Sequence, residues 1–248
     1  MIRSFFKAIE RTLSIQLLSF PVGLTPYIKG LNGRKKILNS SGLREVTTKG
    51  YQLIDIDPTK LNIPSLKRKF ELLEQNKTSS NQLLLIETSN LRTLCTISQE
   101  STIFKNIAVE LEKLFDLPIE LIEISYYRNY HIPEVERHKL SGDWHFDRRP
   151  QDWMRLFILP CAITEDNGPL ETTDIETSKK IVRANGYKRA SPIYQQIVEK
   201  ILNKSNTIKL VGNIGQGLLV DTQRVLHRAG VPALDCNRDM IQVIFKPK

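Results

Sequence analysis

The chain of 248 residues is 40% hydrophobic, which suffices for the core of one sizeable domain. No apolar run reaches the roughly 20 residues that a membrane-spanning helix needs. The three cysteines, Cys95, Cys161 and Cys236, are odd in number and widely separated. This pattern argues against a disulfide framework or a thiolate zinc site, and it predicts a reducing, cytoplasmic compartment.

The basic charge is concentrated in the first third of the chain. The formal net charge of +9 comes from 36 Lys and Arg against 27 Asp and Glu, and residues 1–80 hold 14 of the basic and 6 of the acidic side chains. The rest of the chain is nearly neutral, so we expect no nucleic-acid partner. The basic third could meet an anionic membrane surface or an acidic substrate, although a solvated basic face is the simpler interpretation.

The first third shows one periodic stretch followed by many chain breakers. Residues 1–20 place apolar side chains at helical spacing opposite charged ones, which predicts an amphipathic helix. We expect this helix to pack on its own domain, with peripheral membrane contact or an organellar targeting role as alternatives. Residues 21–65 are rich in Gly and Pro and predict irregular coil with short elements.

Regular patterns follow in the middle of the chain. Residues 66–76 predict a short charged helix, and residues 83–86 predict a strand. Residues 102–115 carry apolar side chains at helical spacing. Ser101 or Thr102 can cap the first turn, so we expect a helix that packs on the core.

The second half alternates short β-rich runs with turns. Residues 174–191 are polar and predict a loop or lid, while residues 192–202 predict a helix. The glycines after residue 211 have neither the spacing nor the context of a nucleotide-binding loop. The predicted strands are 119–130, 154–163, 170–173, 207–211, 218–221 and 240–245.

This order of elements predicts an α+β fold in a single domain, residues 1–248. Residues 1–118 form the helical or irregular portion, and residues 119–248 form an antiparallel barrel or jelly roll. We expect the N-terminal helices to pack outside that barrel.

The stretch Trp144-His145-Phe146-Asp147 contains two metal-binding side chains two residues apart. In an extended segment these side chains point to the same side, because direction alternates with period two. A His-x-Asp triplet alone is a weak signal and needs a third ligand. His227 follows a strand at the other end of the β-rich half, where the fold could return it to His145 and Asp147. Two imidazoles and one carboxylate are the facial triad that suits non-haem Fe(II).

Arg238 stands eleven residues beyond His227, at the start of the last predicted strand. A hairpin-like connection through Gly230, Pro232 and Asp235 would place this strand beside the one that bears His227. The guanidinium would then lie inside the barrel, where it offers a planar, permanently charged fork for a carboxylate. A buried arginine is otherwise costly, so we expect an anionic co-substrate there.

Several motifs together resemble the phytanoyl-CoA dioxygenase-like branch of the Fe(II)/2-oxoglutarate oxygenases. They are Trp144-His145-Phe146-Asp147, Glu165-Asp166-Asn167-Gly168-Pro169-Leu170, and Gly217-Leu218-Leu219-Val220-Asp221 leading to His227 and Arg238. The resemblance covers about residues 120–246. It implies a double-stranded β-helix, the cupin-like jelly roll, as the core.

The same resemblance implies roles for individual residues. His145, Asp147 and His227 would bind Fe(II), and Arg238 would clasp the distal carboxylate of 2-oxoglutarate. Arg155 would supply a second polar contact to this co-substrate, or else lie at the surface or face the substrate. Phe146, Trp153 and Phe157 could supply apolar walls, although each could equally be ordinary core.

The implied activity is that of a non-haem Fe(II)/2-oxoglutarate-dependent dioxygenase. It would use O₂ to hydroxylate a small-molecule, lipid-like or conjugated substrate, which could carry an anionic group, and release succinate and CO₂. Asp147 retains the carboxylate that halogenating relatives lack, which favours hydroxylation. Where many relatives continue Pro-Gly-Ser-His after the turn, this chain reads Glu171-Thr172-Thr173-Asp174, so the substrate stays open.

Two other functions are compatible with the pattern. One is a cupin-like metal-binding barrel without turnover, and the other is a nucleic-acid demethylase of the same superfamily, which the near-neutral second half disfavours. His131 and His138 lack a carboxylate at ligand spacing and are predicted to lie at the surface. Asp143 and Asp221 are predicted to stabilise turns and to support neighbouring groups by hydrogen bonds.

Overall fold

Two antiparallel sheets and a layer of helices make up the computed structural model, which describes residues 24–78, 80, 82–147, 149–186, 195–202 and 207–248. The amphipathic helix predicted for residues 1–20 lies outside the described residues. No helix in the described ranges combines the length and apolar character needed to cross a bilayer. The three cysteines are free thiols, as expected.

The helices are short to medium in length, and most lie in the first half of the chain. In the described ranges, 3₁₀ helices cover Ser41–Leu43, Glu134–Leu140 and Glu165–Asn167. The α-helices are α1 (Leu24–Asn39), α2 (Arg44–Lys49), α3 (Ile63–Asn76), α4 (Thr102–Phe115), α5 (Ile175–Ala184) and α6 (Gln195–Ile201).

The strands begin early in the chain and dominate its second half. They are β1 (Tyr51–Asp55), β2 (Leu83–Thr88), β3 (Arg92–Ile97), β4 (Ile119–Tyr130), β5 (Met154–Ile158), β6 (Leu170–Thr173), β7 (Thr207–Lys209), β8 (Gln216–Val220), β9 (His227–Ala229) and β10 (Asn237–Pro247).

The ten strands form a seven-stranded and a three-stranded sheet. The major sheet has the order β1-β8-β5-β10-β4-β3-β2, and the minor sheet the order β7-β6-β9. All the pairings are antiparallel. From β5 to β10 every connection crosses between the sheets except that from β6 to β7, which stays in the minor sheet, and such repeated crossing is the pattern of a jelly roll. The α+β fold predicted from the sequence is therefore confirmed.

Helices α3 and α4 cover the outer face of the major sheet. Phe70 of α3 stacks on Tyr126 of β4 with ring centroids 4.2 Å apart, and Phe115 of α4 stacks on Phe245 of β10 at 5.3 Å. These rings belong to the largest apolar cluster of the protein. The N-terminal helices thus pack outside the barrel, and the inner face of the sheet is left for the site.

The prediction of irregular coil for residues 21–65 is wrong, because α1 and α2 occupy much of that stretch. Gly30 and Gly33 lie inside α1, where they serve close packing instead of ending the helix. A Cβ at Gly33 would come within 2.5 Å of an Asp152 carboxylate oxygen. Gly50 does end a helix, since it caps α2 with a φ of +91°.

The polar loop or lid predicted for residues 174–191 is also wrong in part. Asp174 accepts a hydrogen bond from the backbone N–H of Thr177 at 2.6 Å and so caps helix α5. Ile175 and Ile181 of this helix are buried, while residues 187–191 lie outside the described ranges.

Strand β3 was not predicted, because its polar side chains obscure the alternation of buried and less buried positions.

The other predicted elements are confirmed, with shifted ends. The helices predicted at 66–76 and 102–115 are α3 and α4, and Ser101 caps α4 by accepting from the Phe104 N–H at 3.2 Å. The helix predicted at 192–202 is α6 where it is described. The predicted strands correspond to β2, β4, β5, β6, β7, β8 and β10.

Candidate metal centre

His145 and His227 face each other across two chain segments that run antiparallel. The N–H of each residue donates to the carbonyl of the other, both at 3.1 Å. Such a reciprocal pair places the two side chains on the same side of the sheet, and the imidazole centroids are 4.3 Å apart. The strand periodicity anticipated in the sequence therefore applies here, with His227 at the start of β9.

Asp147 joins the two imidazoles from the next position on the same side. Its N–H donates to the carbonyl of Thr222 at 3.0 Å, which fixes the segment after Phe146. Its Oδ1 atom lies 3.9 Å from Nε2 of His145 and 3.8 Å from Nε2 of His227. One ligand atom from each of the three residues lies within 4.8 Å of the others. No other such group of His, Cys, Asp or Glu occurs in the described part of the chain.

A second contact orients each of the two imidazoles. Nδ1 of His145 lies 2.8 Å from the carbonyl of Asp143, and Nδ1 of His227 lies 3.4 Å from the carbonyl of Val225. A carbonyl can only accept, so Nδ1 carries the proton and Nε2 presents its lone pair to the centre. The donor set and its orientation fit a divalent transition metal.

The electrostatics keep the donors in their metal-binding forms. Burial, helped by neighbouring His145, lowers the pKa of His227 to about 3, so this imidazole is neutral at physiological pH. Burial alone would raise the pKa of Asp147, but His227 and Arg155 outweigh it and hold the pKa below its ordinary value. Because His227 is neutral at pH 7, Arg155 is the charge that matters there.

Arg155 forms an ion pair with Asp147 and does not lie at the surface. Its Nε lies 2.9 Å from Oδ2 of Asp147, and its Nη1 donates to Oε1 of Gln242 at 3.2 Å. Arg155 belongs to β5 and lines the same cavity as the two histidines. Of the three placements expected for it, the surface one is excluded.

Arg238 is buried at the start of β10, with 1% of its surface exposed. Its Nη1 donates to the carbonyls of Gly168 and Gly230, the latter at 2.9 Å. Its Nε has no acceptor among the described residues. The prediction that its strand lies beside that of His227 is wrong. Strand β9 pairs with β6 in the minor sheet and β10 with β4 and β5 in the major one, because the connector between β9 and β10 crosses between the sheets.

A cavity of about 200 Å³ joins the two histidines to Arg238. Phe157 lines it, as predicted. Phe146 instead packs in a separate apolar cluster, and Trp153 lies 5.7 Å from the guanidinium of Arg149. The lining residues are Arg92, Leu94, Glu123, Ser125, Tyr127, Asn129, Leu140, Ser141, His145, Arg155, Phe157, Leu170, His227, Ala229, Arg238 and Gln242.

Four of these lining residues share one strand and were missed in the sequence. Glu123, Ser125, Tyr127 and Asn129 alternate along β4 and so face the same side of the sheet. The polar side chains at every second position of a β-rich run were the signal. Asn129 lies directly opposite Arg238, and its Oδ1 is buried with no partner in the described ranges.

The remaining polar predictions concern residues around the site. His131 and His138 are exposed, as expected. Asp143 pairs with Arg137 at 2.9 Å through its carboxylate, besides holding His145 through its carbonyl. Asp221 is fully buried and pairs with Arg34 of α1 at 2.6 Å, so it ties a helix to the barrel.

Comparison with known proteins by sequence finds nothing. No family model matches the chain, and no curated protein matches it. The membership in the phytanoyl-CoA dioxygenase-like branch that the motifs suggest is therefore not established by sequence comparison.

Comparison by structure finds similar folds at low identity. The epimerase SnoN in complex with Fe³⁺, alpha ketoglutarate and nogalamycin RO is 10% identical with a TM-score of 0.54, over 88% of this chain and 84% of SnoN. HygX from Streptomyces hygroscopicus with nickel and 2-oxoglutarate bound is 10% identical with a TM-score of 0.51, over 84% and 86%. EctD from S. alaskensis, in its apoform, is 11% identical with a TM-score of 0.51, over 82% and 74%. The chain therefore has the cupin-like, double-stranded β-helix fold of these proteins.

Proposed function

We propose that this protein is a non-haem Fe(II)/2-oxoglutarate-dependent oxygenase. One observation carries the proposal: a cavity of about 200 Å³ is lined by the two histidines of the His-Asp-His cluster and by a buried arginine whose Nε has no acceptor among the described residues. The first feature suits a metal ion, and the second suits a carboxylate. An enzyme that binds a metal and an organic acid together needs both in one cavity.

The metal would be held by His145, Asp147 and His227. These are three ligands on one side, which is the arrangement that leaves positions open for a co-substrate and O₂. Fe(II) bound there would supply O₂ activation coupled to oxidative decarboxylation of 2-oxoglutarate, with succinate and CO₂ as products. The chain's own part is to hold the ligands, orient the co-substrate and exclude water.

The co-substrate's distal carboxylate would be bound at Arg238. The guanidinium is buried, and it forms no ion pair with any acidic residue in the described part of the chain, so its charge needs an anion from outside. Its Nε–H has no acceptor within the described ranges and can donate to that anion, and the neighbouring Asn129 amide can turn an N–H toward it as well. A dicarboxylate can thus reach from the metal to this buried charge.

The lining of the cavity supports a small, polar substrate. Glu123, Ser125 and Gln242 present hydrogen-bonding groups where an acyl chain would need apolar walls. Arg92 pairs with Glu87 through Nη2 at 2.7 Å, but its buried Nε has no partner among the described residues, so it could donate to a polar or anionic group on the substrate. We therefore favour hydroxylation of a polar small molecule over a lipid-like one. The phytanoyl-CoA dioxygenase-like branch remains our assignment from the motifs alone.

A co-substrate consumption screen tests the proposal. The protein is loaded with Fe(II), and consumption of 2-oxoglutarate is followed with pools of polar organic acids and with pools of acyl lipids. We expect at least one polar pool to stimulate consumption in the wild type and not in His145→Ala. Equal, unstimulated traces for both proteins would instead support a metal-binding barrel without turnover.

A further inference from the structure

The two oxygens of the Asp147 carboxylate have different neighbours. Oδ1 faces the two imidazoles, 3.9 Å from Nε2 of His145 and 3.8 Å from Nε2 of His227. Oδ2 lies 2.9 Å from Nε of Arg155 as an ion pair and has no partner with hydrogen-bond geometry among the described residues. Oδ1 is therefore the oxygen next to the candidate metal position, and Oδ2 is the oxygen next to the guanidinium.

Besides Arg155, the side chain of Thr222 contacts the Asp147 carboxylate. The last torsion of an aspartate is broad and roughly two-fold, so either oxygen, or both, could turn toward a metal ion. Binding through both oxygens would take up a coordination position that the proposed chemistry needs for O₂ or for the co-substrate. The Coulomb attraction of a guanidinium 2.9 Å from Oδ2, in a pair that is largely buried, stabilises the single orientation seen here.

Arg155 is itself held in place. Its Nη1 donates to Oε1 of Gln242 at 3.2 Å, from the neighbouring strand β10. Its side chain is 16% exposed and that of Asp147 is 12% exposed, so little water competes for the pair. Both Arg155 and Gln242 stand on central strands of the major sheet, which are the most rigid supports that the fold offers.

We propose that Arg155 is a positioning residue that holds Oδ2 of Asp147, leaves Oδ1 as the single metal-binding oxygen, and does not bind the co-substrate. The proposal rests on the proposed function of the same site. It replaces the second co-substrate contact that the sequence suggested for Arg155.

Metal affinity measured on purified protein tests this role apart from turnover. Mn²⁺ binding is titrated by the loss of its free-ion electron paramagnetic resonance signal for wild type, Arg155→Gln and Arg155→Lys. We expect Arg155→Gln to bind Mn²⁺ about 10- to 100-fold more weakly, as for other groups that orient a metal ligand. Arg155→Lys keeps the charge near Oδ2 and should recover part of the loss.

Two further variants separate positioning from general damage. Gln242→Leu removes the anchor of Arg155 without touching Asp147, and it should weaken Mn²⁺ binding in the same direction but by less. Arg44→Gln makes the same change on an exposed helix residue and should leave Mn²⁺ affinity unchanged. Thermal unfolding of each variant shows whether the fold is intact, and Gln242→Leu carries the test if Arg155→Gln does not fold.

Unchanged Mn²⁺ affinities would contradict this role of Arg155. If the Arg155→Gln and Gln242→Leu proteins bind Mn²⁺ within about threefold of wild type, well short of the loss expected for an orienting group, the inference is wrong. Unchanged metal affinity with weakened 2-oxoglutarate binding would return Arg155 to the co-substrate. A wild-type protein that binds no Mn²⁺ would overturn the proposed function, and this inference with it.

Discussion

Replacing Arg238 by methionine removes the buried charge to which we assign the co-substrate's carboxylate. Methionine keeps much of the side-chain volume but offers no donor, so a carboxylate would meet an apolar group in place of a guanidinium. The carbonyls of Gly168 and Gly230 lose their donor as well. The metal ligands are untouched, because Arg238 contacts none of them in the hydrogen bonds described.

The size of the effect follows from the contacts. A hydrogen bond to a charged group contributes about 1.5–3 kcal/mol, so losing a forked contact costs about 3 kcal/mol or more, which is roughly a 10²-fold weaker affinity. A ligand at 100 times its Kd stabilises the folded state by about 2.7 kcal/mol. At the same concentration a variant with a 10²-fold weaker Kd gains only about 0.4 kcal/mol.

Thermal unfolding with Mn²⁺ present reads out this difference. For a chain of this size each kcal/mol shifts the Tm by about 2–4 °C, so saturating 2-oxoglutarate should raise the wild-type Tm by roughly 5–10 °C and that of Arg238→Met by about 1 °C. Each shift is taken relative to the same protein without 2-oxoglutarate, which corrects for any change in fold stability. Arg44→Met, on the exposed side of α2, should behave as wild type. A full shift in Arg238→Met would refute the assignment of Arg238.

Three other predictions concern the fold and the state of the site. Gly33→Ala should destabilise the protein by about 1–3 kcal/mol in urea unfolding, since the new Cβ would overlap Asp152, and an undiminished midpoint would contradict that packing. Phe115→Ala should cost about 3–5 kcal/mol, because its ring stacks on Phe245 in the core; a loss below 1 kcal/mol would mean the stack contributes little. The folded site resists protonation of His227, whose pKa is about 3, while the unfolded chain protonates near its ordinary value. Metal-free stability should therefore fall as the pH drops from about 6.5 towards 3, and His227→Gln should flatten that decline.

Two of the three candidate metal ligands could be predicted from the sequence because their signal is local. The alternation of side chains along an extended segment puts His145 and Asp147 on one side whatever the rest of the chain does. His227 could be added as the third ligand because a barrel brings its last strands back beside its first. The backbone pair between His145 and His227 is how the fold meets that expectation.

Contacts that depend on the path of the chain could not be predicted in this way. Arg155 lies only eight residues beyond Asp147, but the sequence does not indicate that its guanidinium would turn back to that carboxylate. The same holds for α1, where Gly30 and Gly33 read as helix breakers until the close approach of Asp152 shows why they are small. From the sequence alone, a glycine that allows a bend cannot be told from a glycine that allows a close contact.

Single-turnover formation of succinate tests the central claim most directly. The protein is mixed anaerobically with equimolar Fe(II) and 2-oxoglutarate, exposed to O₂, and the succinate formed is measured over time by mass spectrometry. Wild type should form succinate only when Fe(II), 2-oxoglutarate and O₂ are all present, and Asp147→Ala should form none above the protein-free control. Succinate at the level of that control from the wild type, or undiminished succinate from Asp147→Ala, would contradict the account.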